Sequence, residues 1–71
     1  MSAAFVDARG LKCPWPALRL AKAMRDTDIV RISADDPRSA TELAALCQEQ
    51  GWIISTLDGD FIVTRLPGIK P

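Results

Sequence analysis

The chain lacks histidine altogether and has only two cysteines among its 71 residues. Without histidine it has no base for a serine or cysteine protease triad. Two thiols are too few for a structural zinc site of four Cys or His ligands, so no metal site is expected. The sequence therefore leaves room for the chemistry of a single thiol, activated by something other than histidine.

A charge surplus and a long apolar run are also absent. Nine Lys and Arg balance nine Asp and Glu, which argues against a non-specific nucleic-acid binder. No apolar stretch approaches the ~20 residues that span a bilayer. Residues 1–10 carry Asp7 and Arg9 and lack the apolar region of a signal peptide. We therefore expect a cytoplasmic protein in a reducing compartment, without membrane or direct nucleic-acid partners.

What is present indicates one small globular domain over residues 1–71. Hydrophobic residues make up 48% and charged residues 25%, as in ordinary soluble domains. One short apolar run, one alternating segment and two β-rich runs predict four strands, and apolar residues at helical spacing predict two helices. Together they predict the order βαβαββ. Strands are predicted at residues 3–6, 29–34, 52–57 and 61–66, helices at 14–24 and 37–50, and a hairpin loop at 58–60.

This order of elements predicts an α/β (α+β) fold. Two successive right-handed crossovers place both helices on one face of the sheet. In the simplest arrangement the first two strands are parallel, and the last strand lies antiparallel between the second and third. The prediction is a two-layer α/β sandwich with a mixed four-stranded sheet whose other face stays open.

The most informative segment is Gly-Leu-Lys-Cys-Pro-Trp-Pro at residues 10–16, at the predicted turn from the first strand to the first helix. It places Cys13 at the N-cap of that helix, where the helix dipole favours a thiolate. Lys12 and Arg9 add positive charge, and Pro14 and Pro16 stiffen the first turn. We therefore expect a lowered pKa for the Cys13 thiol.

A plainer interpretation is that Cys13 is a small buried residue that caps the helix. Cysteine is a poor N-cap compared with serine, aspartate or asparagine, and this weighs against the plainer interpretation.

The sequence resembles the TusA/SirA-type sulfur carrier proteins over nearly its whole length. It matches their pattern in Val-Asp-Ala-Arg-Gly-Leu-Lys-Cys-Pro-Trp-Pro at residues 6–16 and in Asp-Asp-Pro at residues 35–37. The resemblance implies the βαβαββ fold and a persulfide carried on Cys13 without another cofactor. It also implies protein partners: a sulfur donor, such as a cysteine desulfurase or a rhodanese, and a sulfur acceptor. Residues 48–52 lack the histidine that several members have there, which leaves the pathway open.

Cys47 belongs to an apolar stripe of the second helix, together with Ala40, Leu43 and Ala44, and is expected in the core. It lies about 15 Å along its helix, at 1.5 Å per residue, whereas Cys13 lies at the start of the other helix. Since a disulfide needs Cα atoms within about 7 Å, none is predicted.

Several further side chains are candidates for partner contact. Trp15 lies beside the thiol and could contact a partner or pack. Arg19 and Lys22 are expected to join Arg9 and Lys12 in a basic patch for an acidic partner. Trp52 is expected to pack, and Asp36 is expected to be the N-cap of the second helix, with Asp35 before it.

Two functions remain open on the residues alone. The first is a sulfur carrier, expected to be monomeric and without turnover of its own. The alternative is a non-catalytic interaction module that binds protein or RNA, although the RNA-binding signatures of known modules are absent. A thioredoxin-like reductase is disfavoured, because the Cys-Pro-Trp-Pro motif has no second cysteine. A thiol pKa at or above that of free cysteine would favour the module.

Overall fold

The computed structural model describes residues 4–65 and contains six elements in the predicted order. The strands are β1 (Ala4–Asp7), β2 (Ile29–Ser33), β3 (Ile53–Leu57) and β4 (Asp60–Thr64), and the helices are α1 (Trp15–Ala23) and α2 (Ser39–Gln50). Each boundary lies within two residues of the predicted one. The predicted strand ends at Ala3 and Leu66 lie outside the described residues.

The four strands form one mixed sheet in the order β1-β2-β4-β3. β1 pairs in parallel with β2, and β4 lies antiparallel to both β2 and β3. The predicted insertion of the last strand is therefore confirmed. The β3–β4 loop is shorter than predicted, since Leu57 pairs with Asp60 and only two residues turn the chain. Asp58 and Gly59 there have φ values of 52° and 85°, as a type I′ turn requires.

Both helices pack on one face of the sheet, so the two-layer sandwich is also confirmed. The core residues alternate along β2 and β4, which is why they share a face. They meet residues of both helices in one buried cluster, formed by Ala8, Leu20, Met24, Val30, Ile32, Leu43, Cys47 and Val63. Trp52 packs against this cluster, as expected.

The core stripe of α2 differs from the predicted one. Leu43 and Cys47 are buried as expected, but Ala40 and Ala44 are exposed. Ser39 is buried in their place, and Leu46 packs against the cluster. Alanine is compatible with either side of a helix, so two alanines at helical spacing are weak evidence for a buried face.

Within residues 4–65, no helix covers the second sheet face, and large apolar side chains are exposed there. Phe5, Ile53 and Leu57 are about half exposed there. The Arg31 guanidinium and the Asp60 carboxylate form an ion pair at 2.7 Å across β2 and β4 on this face. This ion pair gives the open face a polar centre within an apolar surface.

Candidate functional site

The residues of interest gather at the sheet edge where β1 and β2 end. Since these two strands are parallel and each leads into a helix, both helices begin at this edge. The loop after β1 carries Cys13, and the loop after β2 carries Asp35 and Asp36. The topology thus brings two loops together that are more than twenty residues apart in sequence.

Two carboxylates fix the cysteine loop. Asp35 accepts a hydrogen bond from the Gly10 backbone N–H at 2.8 Å, and Asp36 accepts one from the Cys13 N–H at 3.1 Å. Asp36 also accepts the Arg38 N–H at 2.8 Å with its other carboxylate oxygen. These bonds hold the backbone of Cys13 against the start of α2. A shallow depression lies between the loops, lined by Gly10, Leu11, Lys12, Asp35, Asp36 and Pro37.

The caps of both helices differ from the prediction. The N-cap of α1 is Pro14, without a side-chain hydrogen bond, so Cys13 lies one residue before the cap. The N-cap of α2 is Arg38, not Asp36. Asp36 still serves the helix start, because its carboxylate binds the Arg38 N–H. A four-residue turn, closed by the Ser39 N–H donating to the Asp36 carbonyl at 2.9 Å, delays the start of the helix beyond Pro37.

The Cys13 thiol is free and partly exposed, while Cys47 is free and buried. The prediction that they form no disulfide is confirmed. The Cys13–Pro14 peptide bond is cis. Pro16 is buried under the first turn of α1, whereas Trp15 and Leu18 are 57% and 51% exposed and lie three residues apart on one helix face. An exposed apolar pair therefore begins two residues after Cys13 in the chain.

The expected lowering of the thiol pKa is wrong for the free protein. Partial burial raises the pKa of Cys13, and the negative charge of Glu42 raises it further. Asp36 acts in the same direction, whereas the guanidinium of Arg38 lowers it. The carboxylates near the sulfur thus outweigh the cation. Burial likewise raises the pKa of Cys47.

The start of α1 has few donors to offset these carboxylates. Pro14 and Pro16 have no N–H. The Cys13 N–H is bound by Asp36, and the Trp15 N–H donates to the Lys12 carbonyl at 2.8 Å. Of the first N–H groups of α1, those of Pro14 and Pro16 are therefore missing and that of Trp15 is already bound, which weakens the stabilisation of a thiolate there.

The cations of the predicted basic patch differ in their surroundings. Arg9 binds the Asp7 carboxylate through both of its oxygens, at 2.9 and 3.0 Å, and lowers the pKa of Asp7 to about 2. Lys12 lies near Asp36, whose pKa it helps to lower after the backbone bonds from Arg38 and Cys13. Arg19 and Lys22 lie further along α1, beside the β1 edge.

Glu42, Asp35 and Arg38 were not recognised from the sequence as parts of the site. One signal was available: the first turns of α2 start at the same sheet edge as the Cys13 loop, so the residues there lie near the thiol. Among residues 4–65, no group of three or more metal-ligating side chains could hold an ion, and no helix is long and apolar enough to cross a membrane.

The fold and site define a class of small α/β proteins that hold one free thiol in an anchored loop before the first helix. Residues 4–64 match the sulfurtransferase TusA family, so the chain belongs to that family.

Relatives carry related descriptions. Two candidate sulfur carrier proteins, of Neisseria meningitidis serogroups A and B, are each 34% identical over 67 residues, covering 86% of this chain and 90% of theirs. A candidate sulfur carrier protein of Archaeoglobus fulgidus is 39% identical over 49 residues, covering 65% of this chain and 64% of its own. The family and these relatives support a sulfur carrier role.

Proposed function

We propose that this protein is a persulfide relay: Cys13 accepts sulfur from a protein donor and passes it to a protein acceptor. The observation that carries the proposal is a free, partly exposed thiol in a loop anchored by Asp35 and Asp36. The donor would be a cysteine desulfurase or a rhodanese-type protein, and the relay would operate in the cytoplasm as a monomer. No cofactor is needed beyond the persulfide itself.

The reaction exchanges one sulfur–sulfur bond for another. The Cys13 sulfur attacks the outer sulfur of the donor persulfide, a reaction closely related to thiol–disulfide exchange. The S–S bond of the donor breaks and a new one forms on Cys13, while the thiol proton ends on the sulfur that the donor keeps. There is no net oxidation, and the protein alone has no turnover.

The surrounding residues have supporting parts in this proposal. Pro14 and Pro16 orient the sulfur, and Lys12 supplies positive charge beside it. Arg9 supports the loop less than its sequence position suggests, because its guanidinium is paired with Asp7. Trp15 offers an exposed aromatic surface beside the thiol, of the kind enriched at binding hot spots. Arg19 and Lys22 would contact the partner along α1.

The test is the incorporation of one sulfur atom into Cys13. After incubation with a cysteine desulfurase and cysteine, mass spectrometry of the intact protein should show an adduct of one sulfur that reducing agent removes. Cys13→Ser should abolish the adduct, and Cys47→Ser should retain it, since Cys47 is buried. An adduct that survives Cys13→Ser would refute the proposal.

One observation favours a second candidate, a non-catalytic interaction module. Partial burial and the Glu42 carboxylate raise the pKa of the Cys13 thiol, which a module tolerates better than a nucleophile does. A module would bind its partner equally well with Cys13→Ser and would take up no sulfur. The incorporation experiment therefore separates the two candidates.

A further inference from the structure

One free edge of the sheet belongs to the strand that leads into the thiol loop. β1 is an outer strand, and in the part of the chain that the structure describes no other strand pairs with its outer side. The Ala8 N–H donates to the Ser33 carbonyl at the end of β2, at 2.7 Å. Since the backbone groups of successive strand residues point to alternate sides, those of Phe5 and Asp7 point away from β2. The outer side of β1 therefore offers unpaired N–H and C=O groups to an incoming strand.

A groove with exposed positive charge runs along this edge, between β1 and α1. Arg19 and Lys22 of α1 line it, and both side chains are exposed. Within residues 4–65, neither of them forms an ion pair. Asp26 also lines the groove, but it follows the end of α1 and therefore lies at the end of the groove away from the thiol. The α1 wall of the groove is thus complementary to acidic side chains of a ligand.

The two faces of an added strand would meet different surfaces, because side chains alternate between the faces of a strand. On the helix face they would lie beside Arg19 and Lys22. On the open face they would lie beside Phe5, which is 59% exposed. Asp7 shares the open face, but its charge is already paired with Arg9 at 2.9 Å. An extended segment in which acidic and apolar residues alternate is therefore complementary to both faces.

We propose that the outer edge of β1 binds an extended segment of a partner protein as an added strand, with acidic side chains toward α1 and apolar ones toward the open face. This inference rests on the proposed function in that the partner is a protein that exchanges sulfur with Cys13. β1 leads directly into the Cys13 loop, so a bound strand holds the partner at the sheet edge where the thiol lies. The other outer strand, β3, is three strands away, roughly 14 Å at about 4.8 Å per strand.

The probe is a short synthetic peptide in which glutamate and valine alternate, titrated into the whole protein. Backbone amide signals in NMR spectra follow the binding, and those of Phe5 and Asp7 should shift as their N–H groups become hydrogen-bonded. A peptide with lysine in place of glutamate should bind at least about tenfold more weakly, and Lys22→Glu should abolish this preference. If the amides of β1 do not respond, or if both peptides bind equally well, the inference is overturned.

A proline at Phe5 tests the backbone edge itself. Phe5→Pro removes an outward N–H and leaves the hydrogen bonds to β2 in place, since an edge strand accepts proline on its outer side. It should weaken binding of the glutamate peptide by about tenfold or more. Phe5→Ala keeps that N–H and should have a smaller effect. Equal effects of the two variants would show that only the side chain matters and would contradict strand addition.

The matched control is Thr56→Pro, the same change on the other outer strand. Leu57 and Asp60 close a two-residue hairpin and are hydrogen-bonded to each other, so the Thr56 N–H also points away from the sheet. Its loss should leave peptide binding unchanged. Circular dichroism checks that each variant folds, and Lys22→Glu serves as the test if Phe5→Pro does not.

Two further measurements separate this inference from other outcomes. Sedimentation of the protein alone reports self-association, and a dimer that Phe5→Pro converts to a monomer would place a second copy on the edge and overturn the inference. Sulfur loading without peptide tests the relay: if the wild type takes up no sulfur, the relay fails while the titration still reports on β1. If the wild type is loaded and no peptide binds, the relay stands and the inference fails.

Discussion

Pro14 and Pro16 both act on the Cys13 thiol in two opposing ways. They restrict the backbone and so hold the sulfur in one direction. They also remove two of the N–H groups that a helix N-terminus usually offers an anion. A cysteine before such a turn is well placed but weakly activated. Burial is the main cause that raises its pKa, and the negative charge of Glu42 is the next.

Asp36 joins the two halves of the site. Its carboxylate accepts hydrogen bonds from the backbone N–H groups of Cys13 and Arg38. Because these bonds favour the charged form of the carboxylate, they lower the pKa of Asp36. Asp36→Ala removes both acceptors, and we expect the melting temperature to fall by roughly 5–10 °C, in the range of a lost helix cap in a small domain.

Thermal unfolding followed by circular dichroism measures this change. Asp26→Ala is the control, because Asp26 lies exposed in the turn after α1. Equal melting temperatures for the two variants would contradict the role of Asp36.

The helix α1 stabilises the fold through a narrow face. Leu20 is fully buried in the core cluster, while Leu18 on the same helix is half exposed. Leu20→Ala leaves a cavity and should lower the free energy of unfolding by about 2–5 kcal/mol. For a domain of this size that is a large part of the total stability.

Urea unfolding gives this free energy. Leu18→Ala is the matched control and should cost less than about 0.5 kcal/mol, as surface substitutions usually do. A similar loss in both variants would show that α1 packs differently.

The elements and their order were predictable because apolar and β-rich segments and segments with helical spacing are separated by glycine, proline and aspartate, although neither helix N-cap was predicted correctly. The handedness of the two crossovers predicted that both helices lie on one face. The simplest arrangement of the strands then gave the observed sheet order. The core face of α2 was not predictable, since Ala40 and Ala44 fit either side and buried Ser39 gives no apolar signal. The raised pKa of the Cys13 thiol was also not predictable from the sequence, because Glu42 is distant in sequence and comes near the thiol only once both helices pack.

The whole molecule should lose stability in acid. Among residues 4–65, the pKa values of Asp7, Asp36 and Asp60 are lowered, that of Asp7 from 3.8 to about 2 by its hydrogen bonds with Arg9. For Asp60 the main cause is the hydrogen bond from Arg31. At pH values below the ordinary aspartate pKa, the unfolded chain therefore binds more protons than the folded chain.

The stabilising contribution of these carboxylates is therefore present above about pH 4 and declines toward about pH 2. Urea unfolding at a series of pH values measures this decline, and Asp60→Asn should make it shallower. If stability stays constant across this interval, the three carboxylates are not stabilised by folding.

The anchoring of the Cys13 amide to Asp36 ties the reactive loop to the integrity of the second helix. Displacement of the Asp36 turn together with the first turn of α2 would release the Cys13 N–H and move the Glu42 carboxylate. A partner protein that binds this turn would thereby change the reactivity of the Cys13 sulfur without contacting the sulfur itself.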